Sequence, residues 1–191
     1  SHNPREYNGY KVYGSDGCQV TSEAADRIQK HIEEADKAEA GEEKSFEELL
    51  EEGSIVWIDD KTIKAFLASI IRRRTRKKLT SDLKVVYTPL HGAGLSLVTS
   101  ILKYIGIQNI QIVPEQAKPD GTFPTCPYPN PEDDNALKLG LEWCKKTDAD
   151  LLIATDPDSD RLGVAAKKNG VYERLNGNQV GILLLDYILK C

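Results

Sequence analysis

The stretch LKVVYTPLHGAGLSLVTSILKYIGIQNIQIV, residues 83–113, alternates between two kinds of apolar pattern. The apolar runs 83–87 and 110–113 predict buried strands, whereas residues 94–105, ended by Gly106, predict a helix. A strand, a crossover helix and a second strand in this order are typical of a parallel sheet. This stretch therefore predicts an α/β fold.

The alternation continues towards the C-terminus. A helix is expected after Asn130-Pro131-Glu132, then a strand at 151–154. The runs 162–166 and 171–175 flank the turn signal Lys168-Asn169-Gly170 and predict a hairpin, and a last helix is expected from Asn176. Together these segments predict a three-layer α/β/α domain with a mixed, mostly parallel sheet.

The N-terminal third differs in pattern. Residues 10–13 and 18–20 predict a hairpin, followed by a helix capped at Thr21 or Ser22. The acidic segment 33–52 is interpreted as a solvated connector. Residues 54–58 are expected to form a short strand, and Asp59 or Asp60 to cap an amphipathic helix whose apolar side chains recur every three or four residues.

Composition excludes several classes of protein. The chain has 191 residues, a net charge of −5, 40% hydrophobic residues and 29% charged residues, which is typical of a globular protein rather than a disordered or collagen-like one. No apolar run approaches the ~20 residues of a membrane span, and no signal peptide is expected. The basic run 72–78 lacks interleaved aromatic residues, so we expect no nucleic-acid binding. The four cysteines contain no C-x-x-C pair and predict reduced thiols in the cytoplasm.

The chain contains no methionine, starts at Ser1 and stops at Cys191 inside an apolar pattern. We therefore expect it to be a piece of a longer protein.

The sharpest local feature is Asp156-Pro157-Asp158-Ser159-Asp160-Arg161, directly after the predicted strand 151–154. On extended backbone, three carboxylates at alternate positions point to one side and repel one another unless a cation lies between them. Oxygen ligands with open coordination positions suit Mg²⁺, and ligands bind at the carboxyl ends of strands in open α/β sheets. The pattern therefore predicts a magnesium site.

Two other interpretations of this feature stay open, and a third fails. The interpretation that fails is a calcium loop of the EF-hand type, because such a loop would need Gly in place of Arg161 and Glu in place of Lys167. A phosphatase of the haloacid dehalogenase type also begins with Asp-x-Asp after a strand and would use Asp156 as the phosphoryl nucleophile. The remaining alternative is a solvated acidic turn.

Gly92-Ala93-Gly94 follows the strand 83–87 and lacks both the third glycine of a dinucleotide fingerprint and the Gly-Lys-Ser/Thr of a P-loop. Its spacing predicts a tight turn from strand to helix. His91 precedes it, either as an acid or base at the strand end or as a hydrogen-bonding residue that holds the loop.

The opening sequence SHNPREYNGYK, residues 1–11, resembles almost residue for residue the phosphoserine loop of the α-D-phosphohexomutase superfamily, which includes phosphoglucomutases and phosphomannomutases. Residues 156–161 match the magnesium loop of that superfamily. Residues 88–92, 119–124 and 129–132 are similar to its phosphoglucomutase branch.

The resemblance implies a role for each matching residue. Ser1 is implied as the phosphorylated residue, which also offers a phosphate oxygen to a Mg²⁺ held by Asp156, Asp158 and Asp160. Lys11 and Arg161 are implied as catalytic cations. The remaining implied positions are substrate-binding: His2, Asn3 and His91.

The resemblance also implies a division of the chain. Residues 1–58 would be the C-terminal part of domain 1, residues 59–175 the whole of domain 2, and residues 176–191 the first helix of domain 3. The implied reaction is interconversion of hexose 1-phosphate and hexose 6-phosphate, primed by glucose 1,6-bisphosphate. Domains 3 and 4 would be missing, so the isolated chain is expected to be inactive. A non-catalytic relative that binds a sugar phosphate or a partner protein is the alternative from another class.

Overall fold

The computed structural model describes residues 2–7, 11–35, 44–75 and 81–191. The chain divides into two compact units. The sheet unit comprises Ser1–Asn8 and Lys64–Cys191, and the second unit comprises Gly9–Ile63. Because Ser1, Arg76, Lys77 and Lys78 lie outside the described residues, the expectations that fall on them are not addressed by the structure.

The sheet unit contains five strands in the order β2-β1-β3-β4-β5. Their bounds are β1 Ser81–Thr88, β2 Ile107–Ile112, β3 Leu151–Thr155, β4 Leu162–Lys168 and β5 Val171–Leu175. β1 pairs in parallel with β2 and β3, whereas β3 with β4 and β4 with β5 pair antiparallel. Only β4 therefore runs against the others, and the predicted mixed, mostly parallel sheet is confirmed.

Seven helices accompany these strands in the described part of the chain. They are α1 Ser22–Ala35, α2 Phe46–Glu51, α3 Asp60–Arg72, α4 Leu95–Tyr104, α5 Pro114–Ala117, α6 Asp134–Thr147 and α7 Gly177–Leu189. Side-chain caps begin several of them, among them Asp133, which accepts the N–H of Asn135 at 2.7 Å at the start of α6.

Successive residues of β1 point to opposite faces of the sheet and build two separate cores. Val86 packs in one core with Leu137 of α6. Val85 packs in the other core with Leu102 of α4. Helices thus cover both faces of the sheet, which confirms the predicted three-layer α/β/α arrangement.

The second unit begins with a short hairpin and α1. Tyr13 bridges Gln19 in antiparallel fashion, so the predicted hairpin is confirmed in the described residues as a single bridge. The Thr21 hydroxyl accepts the N–H of Ala24 at 3.3 Å, which identifies Thr21 as the cap of α1. Of the acidic segment 33–52, interpreted as a solvated connector, residues 36–43 lie outside the described residues, and Phe46–Glu51 form α2.

The prediction of a strand at 54–58 is wrong. Within the described residues 44–75 no strand lies beside this segment to pair with it, and Val56 and Ile58 remain exposed. Its Trp57 instead meets the ring of Phe46 edge-on, with 5.9 Å between the centroids. The segment continues to Asp59, whose carboxylate accepts the N–H of Thr62 at 2.7 Å and caps α3.

Arg72 is the last residue of α3, so the helix ends before most of the basic run 72–78. The Arg74 guanidinium lies 5.4 Å from the centre of the Tyr104 ring and makes a cation–π contact, whereas Arg72 and Arg73 are exposed. In the part of the chain that the structure describes, no helix combines the length and apolar character needed to cross a membrane.

The cysteines form no disulfide and fall into two pairs by exposure. Cys126 and Cys144 are buried, and burial raises the pKa of the Cys144 thiol to about 12. Since the thiolate is the reactive form, we expect a thiol reagent at mildly alkaline pH to modify only Cys18 and Cys191 in the folded protein. Mass spectrometry after labelling would show this, and rapid labelling of Cys144 without denaturant would contradict the structure.

Candidate metal centre

The acidic loop, residues 156–161, leaves the sheet at the carboxyl end of β3. Asp156 is completely buried, and its Oδ1 accepts the backbone N–H of Arg161 at 2.9 Å. Its carbonyl oxygen accepts the N–H of Ser159, also at 2.9 Å, and Ser159 adopts a left-handed φ of 61°. These bonds fold the loop back on itself, so the alternation of extended backbone is not what brings its carboxylates together.

Three carboxylates nevertheless converge there. One oxygen each of Asp156, Asp158 and Asp160 can be chosen so that all lie within 4.8 Å of one another. Asp156 is buried, whereas Asp158 and Asp160 are exposed. Burial raises the pKa of Asp156 to about 6, opposed by the hydrogen bond from Arg161 and reinforced by the neighbouring Asp158 and Asp160.

Apart from the neighbouring Asp158 carboxylate, which has no proton to donate when ionised, the buried Oδ2 of Asp156 has no hydrogen-bond partner, and it is the only such side-chain atom among the described residues. An unsatisfied buried carboxylate oxygen is costly, and a bound cation would remove that cost. Three carboxylate oxygens, two of them open to solvent, also form the donor set that Mg²⁺ prefers. The residues present therefore fit a magnesium ion, which Asp156, Asp158 and Asp160 would hold.

The turn between β1 and α4, residues 88–94, packs against the acidic loop. The Ala93 N–H donates to the Pro157 carbonyl at 2.9 Å. A Cβ at position 92 would lie 2.2 Å from Pro157 Cα, and one at position 94 would lie 2.5 Å from Ser159 Oγ. Only glycine fits at position 92, where the blocking atoms are backbone, whereas a side chain at position 94 would have to displace the hydroxyl groups of Ser159 and Tyr87. The close approach confirms the predicted tight turn.

His91 lies within this turn and is buried. Its Nε2 is 2.8 Å from the Thr125 hydroxyl, and its Nδ1 is 3.3 Å from the Lys118 carbonyl. Both ring nitrogens thus meet protein groups, as expected of the residue that holds the loop. A substrate contact by His91 stays a prediction.

For the other predicted site residues, the structure shows fewer contacts that bear on their predicted roles. The ring of His2 packs edge-on against Tyr128, with 6.4 Å between the centroids, and Asn3 is exposed. Arg161 is half-buried beside Asp156, which its own backbone N–H contacts. Lys11 belongs to the second unit and is exposed. The roles of these four residues stay predictions.

The structure adds polar residues that no sequence pattern indicated. The Tyr87 hydroxyl lies 2.9 Å from the Thr155 hydroxyl in the interior, and burial raises the pKa of Tyr87. Gln116 and Thr125 bond to the 88–94 turn from another part of the chain. Buried glutamine and threonine side chains have no characteristic spacing, so only the fold reveals them.

Comparison with known protein families identifies the family to which this chain belongs. The family description "Phosphoglucomutase/phosphomannomutase, alpha/beta/alpha domain II" matches residues 63–170, and the description of domain I of the same family matches residues 1–39. The first match alone covers more than half of the chain. The chain belongs to the phosphoglucomutase/phosphomannomutase family.

Individual relatives agree with this assignment. A phosphoglucomutase of Staphylococcus saprophyticus is 37% identical over 97% of this chain, and one of Staphylococcus aureus strain N315 is 38% identical over 100%. The chain spans 34% of the length of each of these two relatives.

Solved structures support the fold. A phosphoglucomutase/phosphomannomutase family protein of Burkholderia thailandensis superposes on 67% of this chain and 26% of its own, with a TM-score of 0.55 and 26% identity. A Thermus thermophilus protein described as a putative phosphomannomutase also matches 67% of this chain and 28% of its own, with a TM-score of 0.55. Its identity of 22% supports the fold alone.

Proposed function

We propose that this chain forms part of a Mg²⁺-dependent phosphohexomutase that interconverts hexose 1-phosphate and hexose 6-phosphate, with glucose as the favoured sugar. The observation that carries the proposal is the buried, unsatisfied Oδ2 of Asp156 within a cluster of three carboxylates. That cluster lies at the edge of the sheet where α/β proteins bind ligands. The two Staphylococcus relatives, which match 97% and 100% of this chain, are named phosphoglucomutases.

Under this proposal Ser1 carries the phosphoryl group. Its Oγ–phosphorus bond breaks as a sugar hydroxyl oxygen bonds to the phosphorus, and the proton of that hydroxyl passes to Ser1 Oγ. In the return step Ser1 Oγ bonds to the other phosphoryl group of the bisphosphate, and its proton passes to the sugar oxygen that is released. Lys11 and Arg161 supply positive charge for the transferring group, and His2, Asn3 and His91 contribute to substrate binding. When bound, Mg²⁺ neutralises charge on the phosphoryl oxygens.

The proposal includes a larger protein around this chain. Residues 1–58, 59–175 and 176–191 would belong to domains 1, 2 and 3, and the further length of the relatives would supply the rest of domain 3 and domain 4. Those parts are needed to exclude water, because an open site would let the phosphoserine hydrolyse. Glucose 1,6-bisphosphate would prime the enzyme, which we place in the cytoplasm.

The position of the enzyme-bound phosphate tests the proposal. The full-length protein would be incubated with labelled glucose 1,6-bisphosphate, then digested and sequenced by mass spectrometry. We expect acid-stable phosphate on Ser1 and no label in the Ser1→Ala variant. An acid-labile acyl phosphate on Asp156 would instead establish the aspartyl nucleophile, and no label with retained sugar-phosphate binding would establish a non-catalytic relative.

A further inference from the structure

A hydrogen-bonded network of polar side chains joins the 88–94 turn to residues 116–125, which follow β2. The Thr88 hydroxyl donates to the Gln116 side-chain oxygen at 2.7 Å. The Gln116 amide nitrogen donates to the Thr125 hydroxyl at 3.1 Å, and that hydroxyl is 2.8 Å from His91 Nε2. Thr88 and Gln116 are completely buried and His91 is 5% exposed. Thr125 is half-buried, and water is a poor substitute for the three buried members of this network.

The partners assign a direction to the hydrogen bonds of Thr88 and Gln116, and a neutral His91 ring completes the assignment. The Lys118 carbonyl can only accept, so His91 carries its proton on Nδ1 and donates it there. In a neutral ring, His91 Nε2 then accepts the hydrogen bond of the Thr125 hydroxyl, whose oxygen accepts from the Gln116 amide. At the other end the Leu90 N–H donates to the Thr88 hydroxyl at 3.1 Å. Gln116, in the middle, is both acceptor and donor.

This network stabilises the 88–94 turn, whose backbone is strained at two residues. Leu90 and His91 both adopt left-handed backbone, with φ of 46° and 62°, which side-chain-bearing residues rarely do. The backbone of Gln116 adds a further bond, since its carbonyl accepts the N–H of His91 at 2.9 Å. Strained residues of this kind persist only when their surroundings over-determine them.

The 88–94 turn contacts the acidic loop through backbone atoms. The Ala93 N–H holds the Pro157 carbonyl at 2.9 Å, next to Asp156 in sequence. Gly92 lies so close to Pro157 that a shift of the turn forces a shift of the loop. A rearrangement around Gln116 therefore reaches the carboxylates through two rigid contacts rather than through flexible side chains.

We propose that Gln116 is a positioning residue for the acidic loop: its amide fixes the 88–94 turn, and the turn fixes Asp156 in the orientation that binds a divalent cation. The cation itself rests on the proposed function, whereas the mechanical link between Gln116 and the loop does not. Groups that orient metal ligands without touching the metal commonly change metal affinity about 10-fold to 100-fold when removed.

The test measures the binding of Mn²⁺ to the 191-residue chain by electron paramagnetic resonance. Gln116→Met keeps the volume but removes both side-chain hydrogen bonds, and Gln111→Met is the matched control at an exposed position on β2. We expect Gln116→Met to weaken Mn²⁺ binding about tenfold and the control to leave it unchanged. We also expect faster hydrogen exchange at the amides of Ala93 and Arg161 in Gln116→Met, beyond any increase at the β3 amides.

A second pair of variants covers the case in which Gln116→Met does not fold. Thr125→Val removes the hydroxyl at nearly constant volume, whereas Thr125→Ser keeps it. We expect the valine variant to show weaker Mn²⁺ binding and faster exchange at Ala93, and the serine variant to resemble the wild type.

The outcomes separate the two proposals. If the wild type does not bind Mn²⁺ but Thr125→Val still accelerates exchange at Ala93 and Arg161, the link stands and the metal function fails. If Mn²⁺ binds and Gln116→Met and Thr125→Val lower only the unfolding temperature, with affinity and exchange at the loop unchanged, Gln116 is merely structural and the inference is overturned.

Discussion

Replacing Asp156 by asparagine is expected to stabilise the metal-free protein and at the same time to remove most of its affinity for Mg²⁺. No N–H or O–H group donates to the buried Oδ2 of Asp156, and the carboxylates of Asp158 and Asp160 lie beside this side chain. Asparagine keeps the acceptor for the Arg161 N–H but turns the other end into a neutral donor, which should gain about 1–3 kcal/mol of stability without metal. Loss of a charged ligand should weaken Mg²⁺ binding by about 100-fold or more.

Thermal unfolding in EDTA and in saturating Mg²⁺ measures both effects. In EDTA the Asp156→Asn variant should unfold at the higher temperature. At a Mg²⁺ concentration of about 100 times the wild-type Kd, the wild type should gain roughly 2.7 kcal/mol and a variant that binds about 100-fold more weakly only about 0.4 kcal/mol. The difference between the two should therefore move by about 2.3 kcal/mol towards the wild type, which reverses the order when the variant's advantage in EDTA is smaller than that. Asp82→Asn, at the exposed amino end of β1, is the control for loss of one charge. A variant that is less stable in EDTA, or that binds Mg²⁺ normally, would refute the assigned role of Asp156.

Gly92→Ala is expected to be the most destabilising single substitution in the 88–94 turn. The new Cβ would lie 2.2 Å from the Cα and 2.4 Å from the carbonyl oxygen of Pro157, which are backbone atoms that cannot rotate away. The turn and the acidic loop must separate, which breaks the bond from the Ala93 N–H to Pro157. We expect a loss of about 3 kcal/mol or more in the free energy of unfolding.

Urea unfolding measures this loss, and Gly121→Ala provides the control because a Cβ at position 121 meets nothing within 4 Å. The control should stay within about 0.5 kcal/mol of the wild type, as is usual at unconstrained surface sites. Any Gly92→Ala protein that does fold should also bind Mg²⁺ more weakly. Normal stability in this variant would show that the two loops are not in rigid contact.

The sheet unit was predictable from sequence because its strands are buried and its turns are marked. Apolar runs separated by glycines and turn residues gave every strand in order, and the carboxylates after β3 indicated the candidate metal centre. The second unit was less predictable. Residues 54–58 have strand-forming side chains, but a strand needs a partner, and the sequence does not show whether one is present.

Two misses have different causes. α2 carries a visible signal, since Ser45 and Glu48 form a capping box in which the Glu48 N–H donates to the Ser45 hydroxyl at 3.2 Å and the Ser45 N–H to Glu48 at 2.7 Å. The density of acidic residues obscured that signal. Gln116 carries none, because its role depends on residues from three separate segments meeting in the interior. Local pattern cannot indicate such a residue.

The central claim is that the acidic loop serves phosphoryl transfer in a phosphohexomutase, and one measurement tests it most directly. The full-length protein would be assayed for conversion of glucose 1-phosphate to glucose 6-phosphate, primed with glucose 1,6-bisphosphate, with Mg²⁺ and with EDTA. We expect turnover that requires the metal and is lost in both Ser1→Ala and Asp156→Asn. Turnover that persists in EDTA or in Ser1→Ala, or no turnover on any hexose or pentose phosphate, would contradict the account.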